Sequence, residues 1–141
     1  MFSWINIIKE FRELRYLAYH DSLTKLLNRN WLYKNINSIH HKYVYFLDIN
    51  NLHIINKNGH SFGDEYIKNI IGNIKINNDE KFIRYAGDEF ILFSNKLDRL
   101  ISNEYFTVGF SEIEISVLSA INFADKDMLK NKSKKLIYNK K

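Results

Sequence analysis

The chain has 141 residues, of which 45% are hydrophobic and 15% aromatic, which is enough for one domain around one core and too apolar for a disordered chain. Its net charge of +5 leaves phosphate-bearing ligands open, while the lack of cysteine excludes disulfides and thiolate sites and confines any metal to oxygen or imidazole. No apolar run approaches the roughly 18 residues of a membrane span, and the N-terminus lacks a basic stretch and a cleavage site, so a cytoplasmic chain is expected.

Residues 1–19 read as an amphipathic helix. Trp4, Ile7, Phe11, Leu14 and Ala18 alternate in the spacing of a short coiled-coil seam. About two heptads are marginal alone, so this helix needs a partner. Candidates are its own domain, a second copy, or a membrane surface touched by Phe2, Trp4, Ile5 and Ile8. Few basic residues lie here, which favours a protein partner. The segment 20–29 interrupts the helix, and Asp21 or Ser22 is placed to cap a second one over roughly residues 29–39.

Residues 43–49 form an apolar run broken near its end by Asp48, the pattern of a buried central strand. An acid there is costly unless paired or metal-bound. Residues 50–64 read as a turn, a short helical stretch and a glycine-bounded loop, followed by a helix from about 64 to 74. Residues 82–93 read as a β-hairpin with Asp88 and Glu89 at its tip. Successive strand residues face opposite ways, so adjacent acids converge only at a turn. A cation site is the functional reading, and a plain Gly-Asp turn the bland one.

Beyond the hairpin, 97–102 is one short helical piece at most. Residues 105–110 and 113–118 read as two strands turning at Ser111-Glu112, and 122–135 as a last helix with Phe123, Ala124, Met128 and Leu129 on its apolar side. Lys126, Lys130, Lys132, Lys134, Lys135, Lys140 and Lys141 gather here, to meet phosphates of a nucleotide or nucleic acid, or simply to face water. The order implies an α+β layer with a mostly antiparallel sheet, Asp48 and the Asp88-Glu89 turn lying on neighbouring central strands.

Four blocks in this order resemble one family. Asp21-x-Leu23-Thr24-x-Leu26-x-Asn28-Arg29 resembles the segment that opens GGDEF domains, the diguanylate cyclases. Asp48-Ile49-Asn50 with Asn56 and Gly59-His60-x-x-Gly63-Asp64 is similar to that family's nucleotide loop, Arg84-x-Ala86-Gly87-Asp88-Glu89-Phe90 to its signature hairpin, and Ala124-Asp125-x-x-Met128-Leu129-x-x-Lys132 to its closing helix. The resemblance spans residues 19–135 and implies a palm-type fold (ferredoxin-like, as in nucleotidyl cyclases) and condensation of two GTP molecules into cyclic di-GMP. It further implies a homodimer whose half-sites each hold one GTP, and the apolar seam of residues 4–18 is separately expected to join the two copies. On this reading 1–19 is the coiled-coil helix and 20–141 a minimal GGDEF-like domain.

Carried onto this chain, Asp48, Asp88 and Glu89 are the catalytic acids, Asp88 helping to deprotonate the attacking hydroxyl. Asp48, Asp88, Glu89 and the Ile49 carbonyl supply the hard oxygens that two Mg²⁺ (or Mn²⁺) ions prefer. Backbone N–H groups of Asn51, Leu52 and His53, with Gly87, Lys132 and Lys135, face the phosphates. Asn56 and Asp64 match the guanine readers. An ionised Asp accepts from guanine N1–H and disfavours adenine, which lacks that donor.

The chain also departs from the pattern. Ala86 replaces a glycine, His53 a lysine, Asn50 an aspartate and Leu52 a phenylalanine; the segment after Phe93 is short. No sensory domain is expected ahead of the helix. The inhibitory Arg-x-x-Asp motif would fall at Asn77-Asn78-Asp79-Glu80 and is absent. A module that binds GTP, cyclic di-GMP or a partner without turnover is therefore the second reading. Nucleic-acid binding is a distant third and is not expected.

Overall fold

The computed structural model describes residues 3–139; Phe2, Lys140 and Lys141, invoked above, lie outside them. In chain order the elements are α1 (Trp4–Tyr19), β1 (Leu27–Asn28), α2 (Arg29–Lys34), β2 (Tyr43–Ile49), α3 (Leu52–Ile55), α4 (His60–Gly72), β3 (Lys81–Arg84), β4 (Glu89–Ser94), β5 (Phe106–Glu112) and α5 (Val117–Asn139). Short 3-10 turns follow α2 and α3. The five strands run in the order β1-β3-β4-β2-β5. All neighbours are antiparallel except the parallel β1–β3 pair. This is the expected α+β, palm-type architecture, with β4 in the middle and β2 beside it, between β4 and β5.

Strand alternation divides the core into two faces. On β2, Val44 and Phe46 pack with Ile91 and Phe93 of β4 against Ala120, Ala124 and Met128 of α5. Tyr45, Leu47 and Ile49 point the other way, toward Ile67, Ile70 and Ile71 of α4. Asp48 therefore ends the row that faces α5. The sheet can approach that helix closely because residue 109 has no side chain: a Cβ on Gly109 would collide with the backbone of Ala124 and Met128.

Four expectations need correction. Residues 113–118 do not form a strand. Pairing with β2 ends at Tyr43↔Glu112, Ile113 makes one last backbone bond to Lys42, and Ser116 Oγ then accepts from Ser119 N–H at 3.1 Å as α5 begins. Ile113, Ile115 and Val117 mimic strand alternation, yet Ile115 is 95% exposed. Residues 97–102 hold no helix; Ser102 Oγ instead accepts from Val108 N–H at 2.8 Å. Helix α4 starts four residues before Asp64, at His60, because Gly59 makes the break at φ 113°. Finally, α2 stops at Lys34 and is capped by the Asn28 carboxamide, while Asp21 closes the preceding turn by accepting from Thr24.

α1 stands apart from both faces. None of its 16 residues is buried, and its C-terminal end is fixed where the Asn28 and Asn30 amides donate to the Ala18 carbonyl. No helix among the described residues is long and apolar enough to cross a membrane.

Candidate active site

The antiparallel register places Asp48 directly opposite Glu89 on one side and Thr107 on the other. Directly opposed residues share a face, so Asp48 and Glu89 point together toward α5. Asp88 sits one residue earlier, in the turn, and its carbonyl accepts from Ile49 N–H at 2.9 Å. Three acids thus stand at the paired ends of β2 and β4. Asp48 is 5% exposed, and Lys132 of α5 reaches down to ion-pair with its Oδ2.

Burial is the largest force on the Asp48 and Glu89 carboxyls and raises both. Asp48 is pushed above the usual carboxylate range by burial, Lys132 pulling it partly back and Asp88 adding repulsion. Glu89 is likewise raised by burial, then by Asp88, Asp125 and Asp48. Asp125 belongs to α5 and joins the cluster without being expected there; its place in the closing-helix motif was the available signal.

The turn between β3 and β4 is held from outside. Arg84 donates Nη2 to the Gly87 carbonyl at 2.8 Å, and its Nη1 pairs with Asp21 at 3.1 Å. Asp21 is itself held below the ordinary value: burial opposes ionisation, but the Thr24 and Arg84 bonds outweigh it. On the flank, Arg29 lies 4.2 Å from the Tyr85 ring centroid, and the Tyr33 and Tyr85 hydroxyls are 3.0 Å apart. The link between Asp21 and Arg84 spans 63 residues and leaves no local trace in the sequence.

Beside the acids opens a cleft of about 630 Å³ lined by Asn51, Leu52, His53, Asp88, Lys132 and Lys135, among others. Six of the expected phosphate-side and acidic residues therefore share one space. Asn51 adopts the left-handed conformation, φ 62°, that turns the chain into α3. Asn50 is not free to act as a ligand: Thr107 Oγ1 donates to its Oδ1 at 2.9 Å, and its Nδ2 donates to the Asn103 and Glu104 carbonyls. Lys135 donates to the Asn103 carbonyl at 2.7 Å and to Thr107 Oγ1 at 3.2 Å, and burial lowers its pKa.

Asn56 and Asp64 lie elsewhere. Neither lines the cleft. Asn56 packs onto α4 so closely that a Cβ on Gly63 would strike its Oδ1, and Asp64 is exposed one residue further on. Ala86 causes no backbone strain, since its φ is not positive. A Cβ on Gly87 would meet nothing within 4 Å, so the fold itself does not demand a glycine at either signature position.

The donor set suits a hard divalent cation. It consists of carboxylates at converging strand ends, two of them raised above their ordinary range by burial and by one another. Among the described residues, however, no three or more His, Cys, Asp or Glu side chains are already gathered closely enough to hold a metal. Lys132 is the counter-ion that Asp48 has.

Comparison with known proteins follows the same lines. The family model described as "Diguanylate cyclase, GGDEF domain" matches residues 18–122. No curated protein matches the chain. The fold is similar to diguanylate cyclase SiaD of Pseudomonas aeruginosa, solved with its activator SiaC, at TM-score 0.73 and 20% identity over 93% of this chain and 65% of that one. The coiled coil and GGDEF domain of DgcB from Caulobacter crescentus, in complex with c-di-GMP, gives TM-score 0.74 and 20% identity over 91% of this chain and 87% of that one. The S helix-GGDEF-EAL part of Vibrio cholerae LapD gives 0.76 and 18% over 93% and 38%. These identities speak to the fold alone.

Proposed function

The chain belongs to the GGDEF, diguanylate cyclase, family, and on that premise we propose that it condenses two GTP molecules into cyclic di-GMP. The observation that carries this reading is the meeting of Asp48, Asp88 and Glu89 at paired strand ends across from Lys132. In each half-reaction a GTP 3′-oxygen bonds to the α-phosphorus of the other GTP, the bond to the β,γ-diphosphate breaks, and pyrophosphate leaves. Asp88, half-buried at the cleft wall, accepts the hydroxyl proton. Lys132 and Lys135 exchange their protein partners for the terminal phosphates, helped by the backbone N–H groups of residues 51–53. The Asp48, Asp88 and Glu89 carboxylates and the Ile49 carbonyl would hold Mg²⁺ or Mn²⁺, which supplies charge neutralisation at the attacking and leaving oxygens when bound.

Asn56 and Asp64, which do not line the cleft, would read the guanine edge. Ring closure needs two GTPs face to face, so the active form is a homodimer with one GTP in each half-site, joined through residues 4–18. No feedback through the 77–80 segment is expected, because Asn77-Asn78-Asp79-Glu80 lacks the Arg-x-x-Asp motif. Incubation with GTP and Mg²⁺ followed by chromatography should yield cyclic di-GMP from the wild type and none from Asp88→Ala. Absence of product from the wild type, beside a working control cyclase, would overturn the assignment.

One observation favours a second reading, a module that binds nucleotide without turnover: both cleft lysines are already engaged by protein groups. Calorimetry separates the two. GTP binding without product supports the module, and turnover abolished by Asp88→Ala rejects it.

A further inference from the structure

A second groove, of about 430 Å³, lies between α1 and α2 and shares no residue with the acidic cleft. We propose that it is a binding site for a single nucleotide, with the phosphate on Arg12, Arg15 and Lys34 and the base against Tyr16, Tyr19 and Trp31.

The lining carries three permanent cations and no acid. Among the described residues none of the three forms an ion pair. Arg guanidinium groups take phosphate oxygens in a two-point fork, and Lys adds a point charge. Flat walls accompany the cations. Tyr16 stacks on His20 with centroids 3.9 Å apart and planes 11° from parallel, and the His20 Nδ1 lies 3.0 Å from the Tyr16 carbonyl, so this ring pair is fixed. Trp31 faces the same groove from α2, with Lys81 Nζ 5.9 Å from its ring centroid. Unpaired cations beside flat rings are the chemistry that recognises an anion joined to a planar base. The volume is near the lower end of the roughly 300–1,000 Å³ typical of ligand pockets, which suits one nucleotide rather than a dinucleotide.

Placement suggests what binding does. α1 is otherwise tied to the domain at its C-terminal end, through the Ala18 carbonyl. A ligand bridging Arg12 and Arg15 of α1 to Lys34 of α2 adds a second attachment and fixes the angle of the helix. The inference concerns α1 and α2 alone, so it stands or falls independently of GTP turnover.

The test uses the full chain carrying Trp4→Phe, which leaves Trp31 as the one remaining tryptophan. Titration with GMP or AMP, without metal, should change Trp31 fluorescence saturably. Arg12→Ser with Lys34→Ser should weaken binding about tenfold or more; both positions are exposed, and circular dichroism checks the fold. Lys132→Ser, in the cleft, should leave the signal unchanged. The proposal is overturned by no saturable change up to millimolar nucleotide, by equal affinity in the double variant, by loss of the signal in Lys132→Ser, or by inorganic phosphate competing as strongly as GMP.

Discussion

Asp48 and Glu89 are held against the interests of the fold, and that can be measured. Glu89 has a raised folded pKa, so its ionised form is disfavoured in the native state relative to the unfolded chain. Its unfavourable contribution is present at neutral pH and disappears as pH falls through the raised value and the group protonates. Glu89→Gln should therefore raise the melting temperature by a few degrees at pH 7, abolish GTP turnover, and lose its stability advantage on acidification. Glu80 has the opposite sign. Burial opposes its charge, but bonds from Arg99, Ser94 and Asn77 outweigh burial and lower its pKa. Its contribution is complete above the ordinary carboxylate range near pH 4 and is lost as pH falls through the lowered value. Arg99→Met leaves that carboxylate 5% exposed and without its cation, which should cost about 3 kcal/mol in urea denaturation; Glu80→Met in the same chain should restore much of it. At this scale the sequence told unequally. Asp48, Asp88 and Glu89 were legible because acids interrupted apolar runs. Arg99 with Glu80, and Asp21 with Arg84, were not, since each pair closes a long loop and neither partner is unusual where it stands.

Among the elements, β5 and α5 depend on a single missing side chain. A Cβ at residue 109 would overlap backbone atoms of α5, which cannot swing aside as a side-chain tip can. Gly109→Ala should cost about 3 kcal/mol or more. Gly87→Ala meets only open space, so its melting temperature should match the wild type while turnover falls, if the bare backbone there serves the nucleotide. Thermal melts and product assays on the two variants separate a glycine kept for packing from one kept for the site. β5 is also an edge strand whose outward groups are answered by side chains: Asn103 for Phe106 N–H, Ser102 for Val108 N–H, Asn131 for the Val108 carbonyl and Asp127 for Phe110 N–H. Such capping blocks edge-to-edge pairing without another strand. Periodicity revealed β2 to the residue and the hairpin closely, because apolar residues fill most of β2 and both arms of the hairpin. It misplaced the segment 113–118, where alternation continues for geometric reasons that end with the partner strand, and Ser116 then starts a helix.

The whole molecule leaves one large account open, the apolar face of α1. Trp4, Phe11 and Leu14 are 79%, 65% and 66% exposed, and nothing on the helix is buried, so its seam contributes nothing to the core described above. A helix this short does not hold its shape in water by propensity alone. The groove toward α2 uses Arg12, Arg15, Tyr16 and Tyr19, a different side of the same helix, which leaves the seam for a second copy. If two half-sites must face each other for ring closure, breaking the seam should remove activity without touching the site. Phe11→Glu with Leu14→Glu places like charges along the seam and should shift sedimentation from dimer to monomer. The domain's melting transition should hardly move, because neither side chain packs on it. Cyclic di-GMP formation should fall at least tenfold at low protein concentration and recover in part as concentration rises, since mass action then supplies the second half-site. A dimer that persists with its activity would locate the interface on the sheet domain itself.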